Sequence, residues 1–168
     1  MRRTAWVLVI IVLAIALQTT LALFVVWGTV AIDVVLVAVV CMALTMGPVT
    51  GLLAGSVAGL IQDALSSGVV GIGGLSKSLV GCLAGAFGRQ FIVTGTVPRL
   101  VVFACATVLH AAVVIGMYTA LRLRTFESPG AAVASQALGN MVFGIIVFTV
   151  LEGVPGVLER RRLSRRRD

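Results

Sequence analysis

The sequence predicts an all-α polytopic membrane protein, folded as a compact bundle of six transmembrane helices with both termini in the cytoplasm. Hydrophobic residues make up 60% of the 168 residues and charged residues only 11%, against about 25% charged in a typical soluble domain. A soluble fold of this length could not bury so much apolar surface. The uneven placement of the basic residues then orients the bundle.

Six apolar segments approach the length of about 20 residues that a helix needs to cross the hydrocarbon core. A proline opens the third segment at Pro48, where its missing N–H is not needed, and the fifth and sixth follow Pro98 and Pro129. We therefore predict a six-helix domain at residues 1–156 and an arginine-rich cytoplasmic tail at residues 157–168. The expected spans lie at about 5–27, 31–46, 48–66, 73–91, 98–121 and 129–154.

Polar residues at three places inside these segments need an interpretation. Gln18, with Thr19 and Thr20, forms a short polar patch on the first helix, which we expect to face other helices. Asp33 lies in the first turn of the second helix, where a carboxylate complements the helix dipole. His110, inside the fifth helix, is either a proton relay or a hydrogen-bonded packing residue, and the sequence leaves its role open.

Basic residues predict the topology, since cytoplasmic loops carry an excess of Lys and Arg. Arg122 and Arg124 would lie outside, with Lys77 near the outer end of its helix. The tail is expected to contact anionic lipid; nucleic acid is not predicted as a partner, because no basic face with stacking aromatics is present. The predicted inner side holds Arg2, Arg3, Arg89, Arg99, Arg160, Arg161, Arg162, Arg165, Arg166 and Arg167.

A glycine stripe is the most specific pattern in the chain. Gly47, Gly51, Gly55 and Gly59 recur every fourth residue and so fall on one face of the third helix, where a neighbouring backbone can approach closely. The fourth helix repeats the theme with small residues that include Gly81 and Gly85. The stripe serves either packing within the chain or a groove for the transmembrane helix of a partner; both remain open.

Asp63 and Lys77 flank the break between the third and fourth helices. The rise of about 1.5 Å per residue brings the two to a similar depth, and charges at such depth are costly unless they are paired. We predict a structural ion pair between them that fixes this hairpin. If they do not pair, Asp63 is expected either to cap N–H groups of the turn at residues 66–74 or to contact a partner protein, and Lys77 is expected to extend to the membrane interface.

No motif in the sequence predicts catalysis, a cofactor or a metal site. The chain has one histidine and three cysteines, and Cys41, Cys82 and Cys105 lie inside apolar runs without metal-ligand spacing. We therefore expect a protein that is not an enzyme.

Residues 51–88 resemble the rod shape-determining protein MreD family. The residues that carry the resemblance are, in order, Gly55, Gly59, Leu60 and Asp63, then Gly68 and Gly71 in the break, then Leu75 and Lys77. Length, six spans and an arginine tail agree with it across the chain.

The resemblance implies a non-enzymatic subunit of the bacterial cell-elongation complex, in the inner membrane. By the same resemblance, this subunit would scaffold peptidoglycan synthesis with MreC, RodA, a class B penicillin-binding transpeptidase and MreB as partners. The family is also similar in fold to the substrate-capture components of energy-coupling-factor transporters. The alternative function is therefore small-molecule capture for such a transporter, which an outer pocket with aromatic and polar groups would favour.

Overall fold

Six α-helices make up the regular structure of the described chain, as predicted. The computed structural model describes residues 2–22, 32–66, 68–91, 95–123 and 129–153. The predicted end of the first span at Trp27 and the arginine tail lie outside these residues. The helices are α1 (Arg2–Ala22), α2 (Val34–Met46), α3 (Pro48–Leu65), α4 (Ile72–Gln90), α5 (Thr96–Ala120) and α6 (Pro129–Gly153).

α2 is the central helix of the bundle. It is apolar all round, as expected of a helix enclosed by others, and nine of its thirteen residues are buried. It contacts each of the other five helices, which follow one another around it in the order α1, α3, α4, α5 and α6. Within the described residues no Cα atom of α1 lies within 8 Å of one of α6, so these two helices are the ends of the series around α2.

Two hydrophobic clusters lie on opposite sides of α2. One joins α2 to α4, α5 and α6 around Phe103 and Phe148. The other joins α2 to α1 and α3 around Ile11 and Ala54. The shortest described helix therefore holds the two halves of the core together.

Three helices in the described part of the chain are, by length and composition, able to cross a membrane. They are Pro48–Leu65, Thr96–Ala120 and the stretch Pro129–Val150 within α6. Two shorter apolar helices, Trp6–Thr20 and Val34–Met46, accompany them. α4 is less apolar because it carries Lys77, Arg89 and several glycines.

The glycine stripe lies in the interface between α3 and α4. A Cβ atom on Gly51 would collide with the backbone of Gly81, and one on Gly59 would lie 2.6 Å from Gly74 Cα. A Cβ on Gly85 would lie 2.5 Å from Pro48 Cα. The two helix backbones are thus in direct contact, which side chains at these positions would prevent.

Gly47 has a different task. It separates α2 from α3 with φ at 96°, a left-handed conformation that glycine adopts at little cost. A Cβ there would also lie 2.9 Å from Nη2 of Arg89. Of the predicted stripe, Gly47 therefore makes the turn, and the other glycines make the helix contact.

Candidate functional site

Polar side chains from five helices converge on the first turn of α2. Asp33 is the N-cap residue, and its Oδ1 accepts a hydrogen bond of 2.8 Å from Leu36 N–H. This is the usual way a carboxylate satisfies an N–H group that has no partner inside the helix. The predicted interaction of Asp33 with the start of α2 is confirmed, but the structure adds a second role.

The second oxygen of Asp33 holds a buried ion pair. Lys77 Nζ on α4 lies 2.9 Å from Asp33 Oδ2, and the two residues are 3% and 5% exposed. Removing two charges from water costs several kcal/mol each in approximate terms, and their mutual attraction offsets this only at close range. The short distance shows that the pair meets that condition, and it joins α2 directly to α4.

His110 on α5 completes the charged cluster. Its Nε2 lies 3.6 Å from the same Asp33 Oδ2. Its Nδ1 lies 2.7 Å from Ser76 Oγ, and the Ser76 hydroxyl also donates to the backbone oxygen of His110 at 3.1 Å. Ser76 and Lys77 are neighbours on α4, so two consecutive residues of one helix engage both α2 and α5.

Neutral side chains hold the backbone around Asp33. The Asp33 N–H donates to Asn140 Oδ1 at 2.8 Å, and Asn140 Nδ2 donates to Thr107 Oγ1 at 2.9 Å. The Val34 N–H donates to Gln18 Oε1 at 2.7 Å, and Gln18 Nε2 donates to the Ile32 oxygen at 3.3 Å. These bonds satisfy backbone groups that water would satisfy at an exposed helix start.

The cluster lies deep in the bundle. Thr107 and Asn140 are each the twelfth residue of a helix of 25 residues, so they meet halfway along two of the longest helices. Of the predicted inward-facing patch, only Gln18 faces other helices: it is 8% exposed and bonds to the start of α2. Thr19 and Thr20 are exposed and donate to the Ala16 oxygen of their own helix, so the prediction is wrong for these two residues. We call Gln18, Asp33, Ser76, Lys77, Thr107, His110 and Asn140 the polar centre.

The structure corrects the predicted pair of Asp63 with Lys77. Asp63 Oδ2 instead accepts hydrogen bonds from the N–H groups of Gly71 and Gly74, at 2.9 and 3.1 Å. Asp63 thus caps the start of α4, as the alternative interpretation expected, and Lys77 turns into the bundle toward Asp33. The prediction compared depth along one hairpin, and depth does not determine which way a side chain faces.

The glycine stripe positions the polar centre. A Cβ on Gly55 would collide with the backbone oxygen of Lys77, so α3 packs directly on the turn of α4 that carries Ser76 and Lys77. Ser56 and Ser78 add a hydrogen bond of 2.7 Å beside this contact. The two predicted features, stripe and lysine, are therefore parts of one arrangement.

Ser76, His110 and Asp33 are the residue types of a hydrolase triad, but their burial does not suit a nucleophile. Ser76 is 0% exposed, and a nucleophilic hydroxyl must reach its substrate. Among the residues that the structure describes, no group of three or more His, Cys, Asp or Glu is placed to hold a metal ion. The arrangement joins helices and does not present reactive atoms.

An apolar groove lies beside the polar centre, along α6 and Ile32. It has a volume of about 420 Å³ and is lined by Ile32, Leu138, Gly139, Val142, Phe143 and Ile146. Ile32 and Gly139 precede Asp33 and Asn140 in sequence, so the groove ends next to the polar centre. Among the described residues that line it, none carries a charged side chain.

Apolar helices around a buried, charge-paired core define a multi-pass membrane protein. The family comparison is specific: the family described as rod shape-determining protein MreD matches residues 1–153, and the chain belongs to that family. The resemblance noted in residues 51–88 is thereby confirmed. The comparisons with curated proteins and with solved structures found no match. Family membership implies a role in determining rod shape and an association with the rod complex.

Proposed function

We propose that the protein is a non-enzymatic subunit of the cell-elongation complex that scaffolds peptidoglycan-synthesis partners in the inner membrane. The family match over residues 1–153 carries this proposal. The partners proposed are those the family resemblance implies: MreC, RodA, a class B penicillin-binding transpeptidase and MreB.

The chemistry of the bundle supports a scaffold. The charged and polar groups of the polar centre bond to neighbouring helices and are not accessible to a ligand: Lys77, Asp33 and Asn140 are each at most 5% exposed. The groove beside them is apolar, whereas capture of a polar small molecule needs convergent polar groups in a pocket. These features favour protein contacts in the bilayer over the alternative, a capture component of an energy-coupling-factor transporter.

The proposed topology places all six helices across the inner membrane with both termini in the cytoplasm. The support is the excess of arginine at the ends of the chain, including Arg160 to Arg162 and Arg165 to Arg167. A cysteine introduced as Ser164→Cys is expected to resist impermeant thiol reagents in intact cells and to react after lysis. Labelling of intact cells would contradict the topology.

Affinity purification from native membranes in mild detergent tests the scaffold. The tagged chain is expected to bring MreC and RodA with it, identified by mass spectrometry, while an unrelated multi-pass protein with the same tag should not. Recovery of a pair of ATPase cassettes without MreC and RodA would support the transporter alternative and contradict the proposal. Purification of the chain with neither set would also contradict it.

A further inference from the structure

A lysine and a histidine face one carboxylate oxygen in the polar centre. Asp33 Oδ1 accepts the hydrogen bond from the Leu36 N–H, and Oδ2 is the oxygen that faces both of these side chains. Lys77 Nζ lies 2.9 Å from Oδ2 and His110 Nε2 lies 3.6 Å from it. A distance of 3.6 Å is too long for a hydrogen bond, so Lys77 holds Asp33 in this structure and His110 lies next in reach.

The surroundings of the imidazole ring suit its protonated form. A neutral imidazole has one N–H, and a charged one has two. Both nitrogens of His110 face oxygen atoms, Ser76 Oγ on one side and Asp33 Oδ2 on the other. The Ser76 hydroxyl can give its own hydrogen to the His110 backbone oxygen at 3.1 Å. Only an imidazolium could donate to both oxygens at once, when Nε2 and Oδ2 approach closer than their present 3.6 Å.

The charges that face His110 come from two helices. Asp33 faces it from the start of α2, and Lys77 belongs to the same cluster from α4. The other members of the polar centre, Gln18, Ser76, Thr107 and Asn140, do not titrate in this range. With His110 neutral the cluster has no net charge; one added proton leaves one excess positive charge, which burial disfavours as long as Lys77 stays.

The ammonium group of Lys77 can reach the N-terminal end of α4 if it leaves Asp33. Lys77 is five residues after Ile72, the first residue of α4, which corresponds to about 7.5 Å along the helix axis. A lysine side chain can extend along such a distance and place its ammonium group at the end of the helix. Movement of the Lys77 ammonium group would remove the excess positive charge from the cluster, and the Asp33 carboxylate would then pair with protonated His110.

We propose that His110 is a proton-binding site, and that uptake of one proton exchanges the partner of Asp33 from Lys77 to His110. The exchange replaces a link between α2 and α4 with a link between α2 and α5. The polar centre is then a proton-sensitive switch between two helix pairings, which goes beyond a scaffold role and does not depend on it.

The sequence allows a test in the unmodified chain, because it contains one histidine and one lysine. Protein carrying a tag without these residues is labelled with ¹⁵N-histidine and ¹³C-lysine and titrated in micelles from about pH 4 to pH 8. The His110 ring signals and the Lys77 Cε signal are expected to change with a common midpoint. A His110 that stays neutral throughout, or a Lys77 signal that does not follow it, would overturn the proposal.

Two variants sharpen the result. In His110→Gln the Lys77 signal is expected to become independent of pH over this range. In Lys77→Met the His110 midpoint is expected to rise by at least about one pH unit, because the histidine becomes the nearest cation for Asp33. An exposed control, Thr119→Ala, should leave both titrations unchanged. A pH-dependent Lys77 signal in His110→Gln, or an unchanged midpoint in Lys77→Met, would contradict the exchange.

Discussion

The polar centre and the α3–α4 interface both hold helices together, but one uses long polar side chains and the other uses the absence of side chains. At the interface, glycines remove side chains so that backbone meets backbone, as between Gly51 and Gly81. At the polar centre, long side chains such as Lys77 and Gln18 reach across space to join helices. Both devices suit a membrane, where apolar burial gives little drive between helices and close packing and hydrogen bonds must replace it.

The difference predicts how each region fails. The α3–α4 interface cannot easily accommodate a new side chain, because the atoms nearest to a Cβ on Gly55, Gly59 or Gly85 belong to the backbone. The side chains of the polar centre can change conformation. Removing one charge of the buried pair should destabilise the protein more than removing both charges. We therefore expect any large side chain to destabilise the α3–α4 interface. At the polar centre, we expect the effect of one substitution to depend on whether its ion-pair partner is also substituted.

The largest effect is expected for Gly55→Leu. A Cβ alone would already collide with backbone atoms of Lys77 and lie 2.8 Å from Ser78 N, so α3 and α4 must separate. The loss of stability should exceed the approximate 1–3 kcal/mol of ordinary overpacking. Thermal unfolding in detergent measures it.

Gly116→Leu is the matched control for that substitution. Gly116 is also a glycine inside a long helix, but a Cβ there would meet no atom within 4 Å. It should therefore leave the thermal unfolding midpoint close to that of the unmodified chain. Equal losses in the two variants would show that glycine replacement, rather than the α3–α4 contact, sets the effect.

The next largest effect is expected for Lys77→Met. It leaves the Asp33 carboxylate buried without its close cation, which costs on the order of 3 kcal/mol. Adding Asp33→Asn should restore part of that loss, because the remaining groups are then neutral. Strictly additive losses in the double-mutant cycle would contradict a direct pair.

The smallest effect is expected for Asp63→Asn. Asp63 lies at the edge of the α3–α4 interface and accepts bonds from Gly71 and Gly74. Asparagine keeps an acceptor oxygen and loses only the charge that favours a helix start, worth less than about 1 kcal/mol. A loss as large as that of Lys77→Met would show that the Asp63 charge has a further partner.

The helices and the stripe were predictable because their signals are local. Apolar length predicted six helices, and the spacing of Gly51, Gly55 and Gly59 predicted a face for close packing. The start of α2 is at Val34 rather than residue 31, since Asp33 is the cap and not a residue of the first turn. The helix start differs by only three residues, but as the N-cap of α2 the Asp33 carboxylate can bond both to the first turn of its own helix and to Lys77.

The partner of Lys77 was not predictable in the same way. α2 is apolar on every side, so its sequence does not indicate which face meets α4. Asp33 also had a sufficient local explanation as a helix-start carboxylate, and that explanation concealed its long-range role. The available signal was that two opposite charges, Asp33 and Lys77, both lie in apolar segments where each needs a counter-charge.

The capping of α2 has a consequence for biogenesis. Its first turn is completed by Gln18, synthesised earlier, and by Asn140, which is 107 residues after Asp33. Until the ribosome has produced α6, the Asp33 N–H lacks its acceptor, and until α4 emerges the carboxylate lacks its lysine. The contacts of the second helix are therefore complete only when the sixth helix has been made, and truncated chains ending before Asn140 should be substrates for membrane quality control.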